Sequence, residues 1–239
     1  MIYFVSDVHL GLSDGDAAGR EDRFVRFLKE IPRDRTEAVY LLGDVWDFWF
    51  EYRDLIPCVG ARVIAEIISL LDDGVEVLFC PGNHDLWSFS FLESLGVKKI
   101  SQPYFFETGG MTVCVGHGDA LGKVPFAVRL MTAVFHNRAA QRAFSVIHPW
   151  LAYRLGNGWS RSNRSKHASY RFQGESEPLY AYASELSERR RVDLFVFGHF
   201  HDSVDMTLPG GARFVVLNDW MKGGMPHVAL DGGTLTVVP

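Results

Sequence analysis

Five short polar blocks, each set directly after an apolar run, constrain this chain more than any other feature. They are Asp7-Val8-His9, Gly43-Asp44-Val45-Trp46-Asp47, Gly82-Asn83-His84-Asp85, Gly116-His117-Gly118-Asp119 and Gly198-His199-Phe200-His201. A strand buried on both faces reads as an apolar run, and open α/β sheets form their ligand crevice where such strands end. Glycines at the block edges suit turns that need unusual backbone angles and close backbone approach.

The runs ahead of the blocks, residues 2–5, 38–42, 75–80, 112–115 and 193–197, read as strands. Residues 23–30, 59–71 and 178–191 carry helical spacing, and Gly74 stops the second of these. Residues 214–218 and 234–238 read as antiparallel closing strands. Strands alternating with helices, followed by a β-rich end, predict an α/β sandwich with mixed sheets. Hydrophobic content of 47% supports a substantial core.

The blocks supply carboxylates, imidazoles and one amide carbonyl, a ligand set for two divalent cations held side by side. Such a pair activates water and clamps a phosphoryl group. Asp7 and His9 are two apart and share a face. Asp44 could bridge two cations with its two oxygens, and Asn83 can offer a carbonyl oxygen. His117 and His199 are natural imidazole partners for Asn83, and His201 would reach back to the first cation. Asp47 reads as a support for the ligands or as a helix cap. His84 is the best candidate for a role other than ligation, giving a proton to a leaving oxygen or binding a phosphoryl oxygen. Asp85 is expected to orient it, and the bland alternative is that His84 is a further ligand or a cap. A nucleophilic Ser or Cys is not required, and neither a Walker loop nor a dinucleotide fingerprint is present.

Residues 120–174 differ from the rest. They contain no Asp or Glu, yet carry nine of the 24 Lys and Arg. Residues 124–135 and 143–155 read as apolar, aromatic helices, and Trp159-Ser160-Arg161-Ser162-Asn163-Arg164-Ser165-Lys166 as a polar, basic loop. The expectation is one domain, 1–239, with a helical insertion over the active site. A basic patch on a chain of net charge -5 calls for an anionic partner held locally, and amphipathic helices call for an apolar partner or membrane surface. The plain alternative is a solvated face. Nucleic acid is disfavoured, because the basic residues gather among apolar helices instead of along an open groove.

Three cysteines at wide spacing, Cys58, Cys80 and Cys114, imply no disulfide framework. The opening Met1-Ile2-Tyr3-Phe4-Val5 reads as a strand and not as a signal peptide. The expected location is cytoplasmic, or peripheral on the inner membrane.

The ordered set D-x-H, G-D-x-x-D, G-N-H-D, G-H-G-D and G-H-x-H resembles the calcineurin-like metallophosphoesterase superfamily. The resemblance implies a four-layer α/β/β/α sandwich. It also implies a first metal held by Asp7, His9, Asp44 and His201, a second held by Asp44, Asn83, His117 and His199, and manganese as the usual ion. Ser6-Asp7-Val8-His9-Leu10, Gly43-Asp44-Val45-Trp46-Asp47-Phe48-Trp49 and His117-Gly118-Asp119, with the basic insertion, are most similar to the UDP-2,3-diacylglucosamine pyrophosphatases of lipid A synthesis. Those enzymes release UMP and a diacylglucosamine 1-phosphate, and their insertion forms a lid. The implied substrate is an anionic, lipid-bearing nucleotide sugar, with Asp119, Ser160, Arg161, Asn163, Arg164 and Lys166 as candidate contacts. Two departures stand out: well-known members carry Arg where this chain has His84, and Ala120-Leu121-Gly122-Lys123 does not match their segment. Another phosphoester or pyrophosphate substrate is the competing reading. A non-catalytic scaffold of the same fold is the contrasting class, and it predicts lost ligands.

Overall fold

The computed structural model describes residues 1–13, 16–167 and 171–239, with 162–167 described in backbone alone. The strands are β1 (Ile2–Val5), β2 (Ala38–Leu41), β3 (Glu76–Phe79), β4 (Lys98–Lys99), β5 (Tyr104–Thr108), β6 (Met111–Val115), β7 (Leu194–Phe197), β8 (Val204–Thr207), β9 (Arg213–Val216), β10 (His227–Asp231) and β11 (Thr234–Val238). The helices are α1 (Ala17–Glu30), α2 (Ala61–Asp72), α3 (Phe91–Ser94), α4 (Phe126–His136), α5 (Arg138–Ser145), α6 (Pro149–His167) and α7 (Pro178–Arg189).

Two mixed sheets form. One runs β11-β10-β1-β2-β3-β4, the other β5-β6-β7-β9-β8. Period-two alternation explains how they stack. In β1, Ile2 and Phe4 join a core that also holds Val113, Val115, Leu194 and Val196 of the second sheet. Tyr3 and Val5, one residue out of phase, instead join a core with Phe24, Leu28, Val63 and Ile67 of α1 and α2. In the second sheet, Cys114, Phe195 and Phe197 face outward onto Leu179, Tyr180 and Ala183 of α7. Three apolar layers therefore separate four layers of structure: helix, sheet, sheet, helix.

Strands β1, β2 and β3 run parallel, as do β6, β7 and β9. Their C-terminal ends therefore open on one edge of the sandwich, where the polar blocks follow. Strand β9 departs from expectation: it is parallel to β7 and antiparallel only to β8. β11 pairs antiparallel with β10.

The helical segment also corrects the sequence reading. The stretch 143–155 is not one helix, because the chain breaks between α5 and α6. Pro149 lacks an amide proton and so begins a helix instead of continuing one. Asn137 separates α4 from α5, its side-chain oxygen accepting from the amides of Ala139 and Ala140. The stretch Trp159 to Lys166 is not a loop but the second half of α6. Its register is set by Ala152, Gly156 and Ser160, buried at successive i, i+4 positions. Among the described residues no helix is long and apolar enough to cross a membrane.

Candidate functional site

The structure brings the side chains of all five blocks to one place. Oxygen and ring-nitrogen atoms of Asp7, His9 and His201 lie within 4.8 Å of one another, and so do those of Asp44, His117 and His199; a third set of the same closeness, His9, Asp44 and His84, overlaps both. Asp44 joins the two groups. Its Oδ2 lies 3.3 Å from His117 Nε2 and 4.0 Å from His9 Nε2, and its Oδ1 accepts from the amide of His84 at 2.9 Å. Asn83 Oδ1 lies 3.3 Å from His117 Nε2. His201 Nε2 lies 3.2 Å from Asp7 Oδ1 and 3.2 Å from His9 Nε2.

Backbone strain concentrates at the same point. The non-glycine residues at positive φ among those described are Asp7, His9, Asp44, His199 and His201. Each such conformation costs about 1–3 kcal/mol and persists only where the surroundings over-determine it. Here the surroundings are a lattice of hydrogen bonds between loops. The amide of Asp7 donates to Gly43 O at 3.1 Å, that of His9 to Asp44 O at 2.9 Å, and that of His199 to Asp7 Oδ2 at 2.9 Å. Two glycines permit this closeness: a Cβ on Gly82 would lie 2.2 Å from Asp44 Oδ1, and one on Gly198 2.4 Å from Asp7 Oδ2.

The imidazoles have defined tautomers. His117 Nδ1 donates to Leu42 O at 2.9 Å, His9 Nδ1 to Asp47 Oδ1 at 3.1 Å, and His84 Nδ1 to Asp47 O at 2.8 Å. A carbonyl or carboxylate only accepts, so each Nδ1 carries a proton and each Nε2 faces inward, able to offer a lone pair once any proton on it is shed to an arriving cation. His201 Nδ1 faces Asp219 Oδ2 at 3.5 Å. Asp219 is buried and was not picked out from the sequence. The signal was present, since Asn218-Asp219 follows the apolar run of β9 in the same manner as the five blocks.

Burial alone would raise Asp7 and Asp44. The imidazoles of His201 and His9 beside Asp7, and of His117 and His84 beside Asp44, outweigh it and hold both carboxyls well below the usual range. Burial lowers His9, but Asp47, Asp7 and Asp44 reverse this and raise it to about 10. His199 is pushed down to about 4, by burial and by the His117 charge. His84 is lowered chiefly by burial.

The site can accommodate metal ions. Asp7 Oδ1 is buried without a hydrogen bond, and imidazole Nε2 atoms converge on ionised carboxylates. Such a donor set fits divalent cations with mixed nitrogen and oxygen preference.

Asp85 does not orient His84. Its oxygens accept from the amides of Gly82, Val45 and Trp46 at 2.7, 2.8 and 3.3 Å, which ties the β2 and β3 loops together. Asp47 caps no helix and supports His9 and His84. Ser160 Oγ is buried and turned to Asp47 and His84, instead of to open space. Asp119 accepts from Gln102 Nε2 at 2.6 Å. Arg161 is exposed, with Nε donating to Asn157 O of its own helix, and is not drawn into the cluster. The side chains of Asn163, Arg164 and Lys166 lie outside the described residues.

A cavity of about 270 Å³ opens beside Asn83 and His84. Phe48 and Trp87 wall it on the core side, and Phe135, Phe144 and Trp159 on the side of α4–α6.

The model of the calcineurin-like phosphoesterase family matches residues 1–203. The chain belongs to that family. Among its curated relatives, a UDP-2,3-diacylglucosamine hydrolase of Porphyromonas gingivalis is 33% identical, covering 99% of this chain and 96% of the relative. One of the same name from Salmonella typhi is 28% identical, covering 99% and 98%. Among solved structures, a dimetal phosphatase from Danio rerio is 16% identical, covers 96% of this phosphoesterase and 92% of its own chain, and gives a TM-score of 0.49.

Proposed function

We propose that this phosphoesterase is a two-metal hydrolase that cleaves the pyrophosphate of UDP-2,3-diacylglucosamine to UMP and 2,3-diacylglucosamine 1-phosphate. The observation that carries the reading is the aromatic cavity opening directly beside Asn83 and His84. It sets an apolar chamber, suited to an acyl chain, against a cluster suited to phosphoryl chemistry. Near-complete coverage of curated relatives bearing that hydrolase name supports the same substrate.

In this reading Asp7, His9, Asp44 and His201 hold one cation, and Asp44, Asn83, His117 and His199 the other, with manganese suited to the donor set. When bound, the pair supplies Lewis-acid neutralisation of the phosphoryl oxygens and a water of lowered pKa. Asp44 would serve both, because its carboxylate lies beside both groups. Asp47 and Leu42 keep the Nε2 atoms of His9 and His117 turned inward. His84 faces the phosphoryl group. The negative charge of an arriving pyrophosphate favours its imidazolium form, which places a proton on Nε2 for the leaving oxygen. Asp119, the last residue of the His117 block and held by Gln102, and Arg161, Asn163, Arg164 and Lys166 along α6 are the polar groups proposed for the sugar and nucleotide.

Helices α4–α6 serve as the lid within a single domain, and they meet the membrane surface. Phe126 is 77% exposed, Val146 84% and Trp150 61%, in a segment whose charged side chains are all basic.

The test is hydrolysis of UDP-2,3-diacylglucosamine with manganese, products identified by mass spectrometry, beside UDP-glucose and an aryl phosphodiester. Release of UMP and the lipid phosphate, with little cleavage of UDP-glucose, is expected. Cleavage of the aryl ester alone would remove the lipid substrate while keeping the phosphoesterase.

A further inference from the structure

Ser160 lies on α6, far in sequence from every block, yet its hydroxyl sits among their supports. Oγ is 3.1 Å from Asp47 Oδ1, 3.1 Å from Asp47 Oδ2 and 3.1 Å from His84 Nδ1. The residue is 1% exposed. His84 Nδ1 must carry its proton, because it also faces the Asp47 carbonyl at 2.8 Å. The serine oxygen therefore accepts from His84, and its one proton goes to the Asp47 carboxylate. The same carboxylate accepts from His9 Nδ1 at 3.1 Å. A directed chain results: His84 Nδ1–H to Ser160 Oγ–H to Asp47, with His9 Nδ1–H entering Asp47 from the other side.

The approach of α6 is built for this contact. Gly156, one turn before Ser160, lies against the Phe48 ring so closely that a Cβ would come 2.4 Å from it. Ala152 is likewise fully buried. A larger residue at Gly156 would hold the helix off the 46–50 loop and take Ser160 out of reach. Tyr153 Oη, on the same helix, accepts from the amide of Phe50 at 3.4 Å, a second tie to that loop.

We propose that Ser160 is a positioning residue and not a substrate contact. It couples the seating of helix α6 to the orientation of two imidazoles, His9 and His84, that approach the centre from different strands. With α6 seated, both rings keep Nδ1 protonated and Nε2 inward. With α6 displaced, Asp47 loses a donor and His84 loses one of its two acceptors. The lid helix is thereby part of the catalytic geometry as well as a cover. The inference rests on the two-metal reading of the site and is independent of the lipid substrate.

Histidine ring ¹⁵N spectra of the zinc-loaded protein, which need no turnover, form the first arm of the test. In Ser160→Ala the His9 and His84 ring signals move, while those of His117, whose Nδ1 is held by Leu42, stay in place. Ser160→Thr, which keeps a hydroxyl, returns them. Unchanged His9 and His84 signals in the alanine variant overturn the proposal.

Kinetics on the acylated sugar nucleotide and on a small aryl phosphodiester form the second arm. A fall in kcat of roughly 10-fold on each, with KM unchanged, is expected for a supporting hydrogen bond of this kind. A loss confined to KM for the acylated substrate would make Ser160 a substrate contact and overturn the assignment. A lowered melting temperature with kcat and ring signals intact would reduce Ser160 to a packing residue and overturn it as well. Failure of the lipid substrate alone leaves both the spectra and the aryl ester to decide the matter.

Discussion

Asp219 Oδ2 lies 3.5 Å from His201 Nδ1, so the last imidazole of the five blocks is oriented by a carboxylate from a different strand end. Asp219 is itself fixed, because its Oδ1 accepts from the amide of Met221 at 2.8 Å. A carboxylate behind a ligating imidazole sets the ring and raises its basicity, and losing such a partner costs about 10–100-fold in metal affinity or activity. Asp219→Asn is expected to weaken binding at the Asp7–His9–His201 group by that amount. Titration of the metal-free protein with manganese, read by calorimetry, checks it.

His84→Ala is expected to lower the hydrolysis rate by roughly 10²–10⁴-fold. Metal content should be unchanged, because His84 is held by the Asp47 carbonyl and Ser160 without being needed to complete either group. Metal analysis of the purified variant decides between the two roles. Loss of one ion would make His84 a ligand.

Gly156→Ala places a methyl group where the Phe48 ring stands. Overpacking of this kind costs about 1–3 kcal/mol, and α6 would be held away from the loop. Hydrolysis of the acylated substrate is expected to fall, since Gly156 and Phe48 both line the cavity. Thermal melts and a comparison of short and long acyl substrates measure the two consequences.

Phe4 is fully buried between the sheets and stacks on Tyr40 with centroids 5.2 Å apart. Phe4→Ala is expected to cost about 3–5 kcal/mol, the usual range for an aromatic removed from a packed core. Urea unfolding with both transitions fitted gives the difference directly.

His227 provides a pH-dependent term away from the site. Burial against Tyr3 and Phe27 lowers its pKa below the ordinary value, although Nδ1 donates to Met225 O at 2.7 Å. The unfolded chain therefore binds the proton more readily. The associated stability is fully present above the unfolded pKa of about 6.5 and is lost as pH falls through the folded value. His227→Gln is expected to lose less stability than the wild type on acidification from about pH 7.5 to about pH 5.5, as measured by urea unfolding.

Much of this architecture was legible because its strands are short and buried on both faces. The apolar runs before Asp7, Asp44, Asn83, His117 and His199 each became a strand, and parallel pairing carried their ends to one edge. Strands β5 and β8 gave no comparable signal. They sit at the edges of the second sheet, half exposed: Tyr104–Thr108 shows no clean alternation, and Val204–Thr207 alternates over only four residues. The second half of α6 reads as a loop because it is polar, whereas the buried positions described along that helix, Ala152, Gly156 and Ser160, are small and leave no hydrophobic stripe.

The residue types and their order determined the chemistry: carboxylates, imidazoles and an amide, delivered at successive strand ends, where a parallel sheet must bring them together. Only the tertiary structure decided which atoms face which. Ser160 meets Asp47 across 113 residues of chain, and Asp7 meets His201 across 194. Hydrogen bonds of a few ångströms depend on how α6 and the strand-end loops pack in space, and spacing along the chain carries no record of that. The inward turn of each Nε2, the five left-handed residues and the place of Asp219 all follow from that packing.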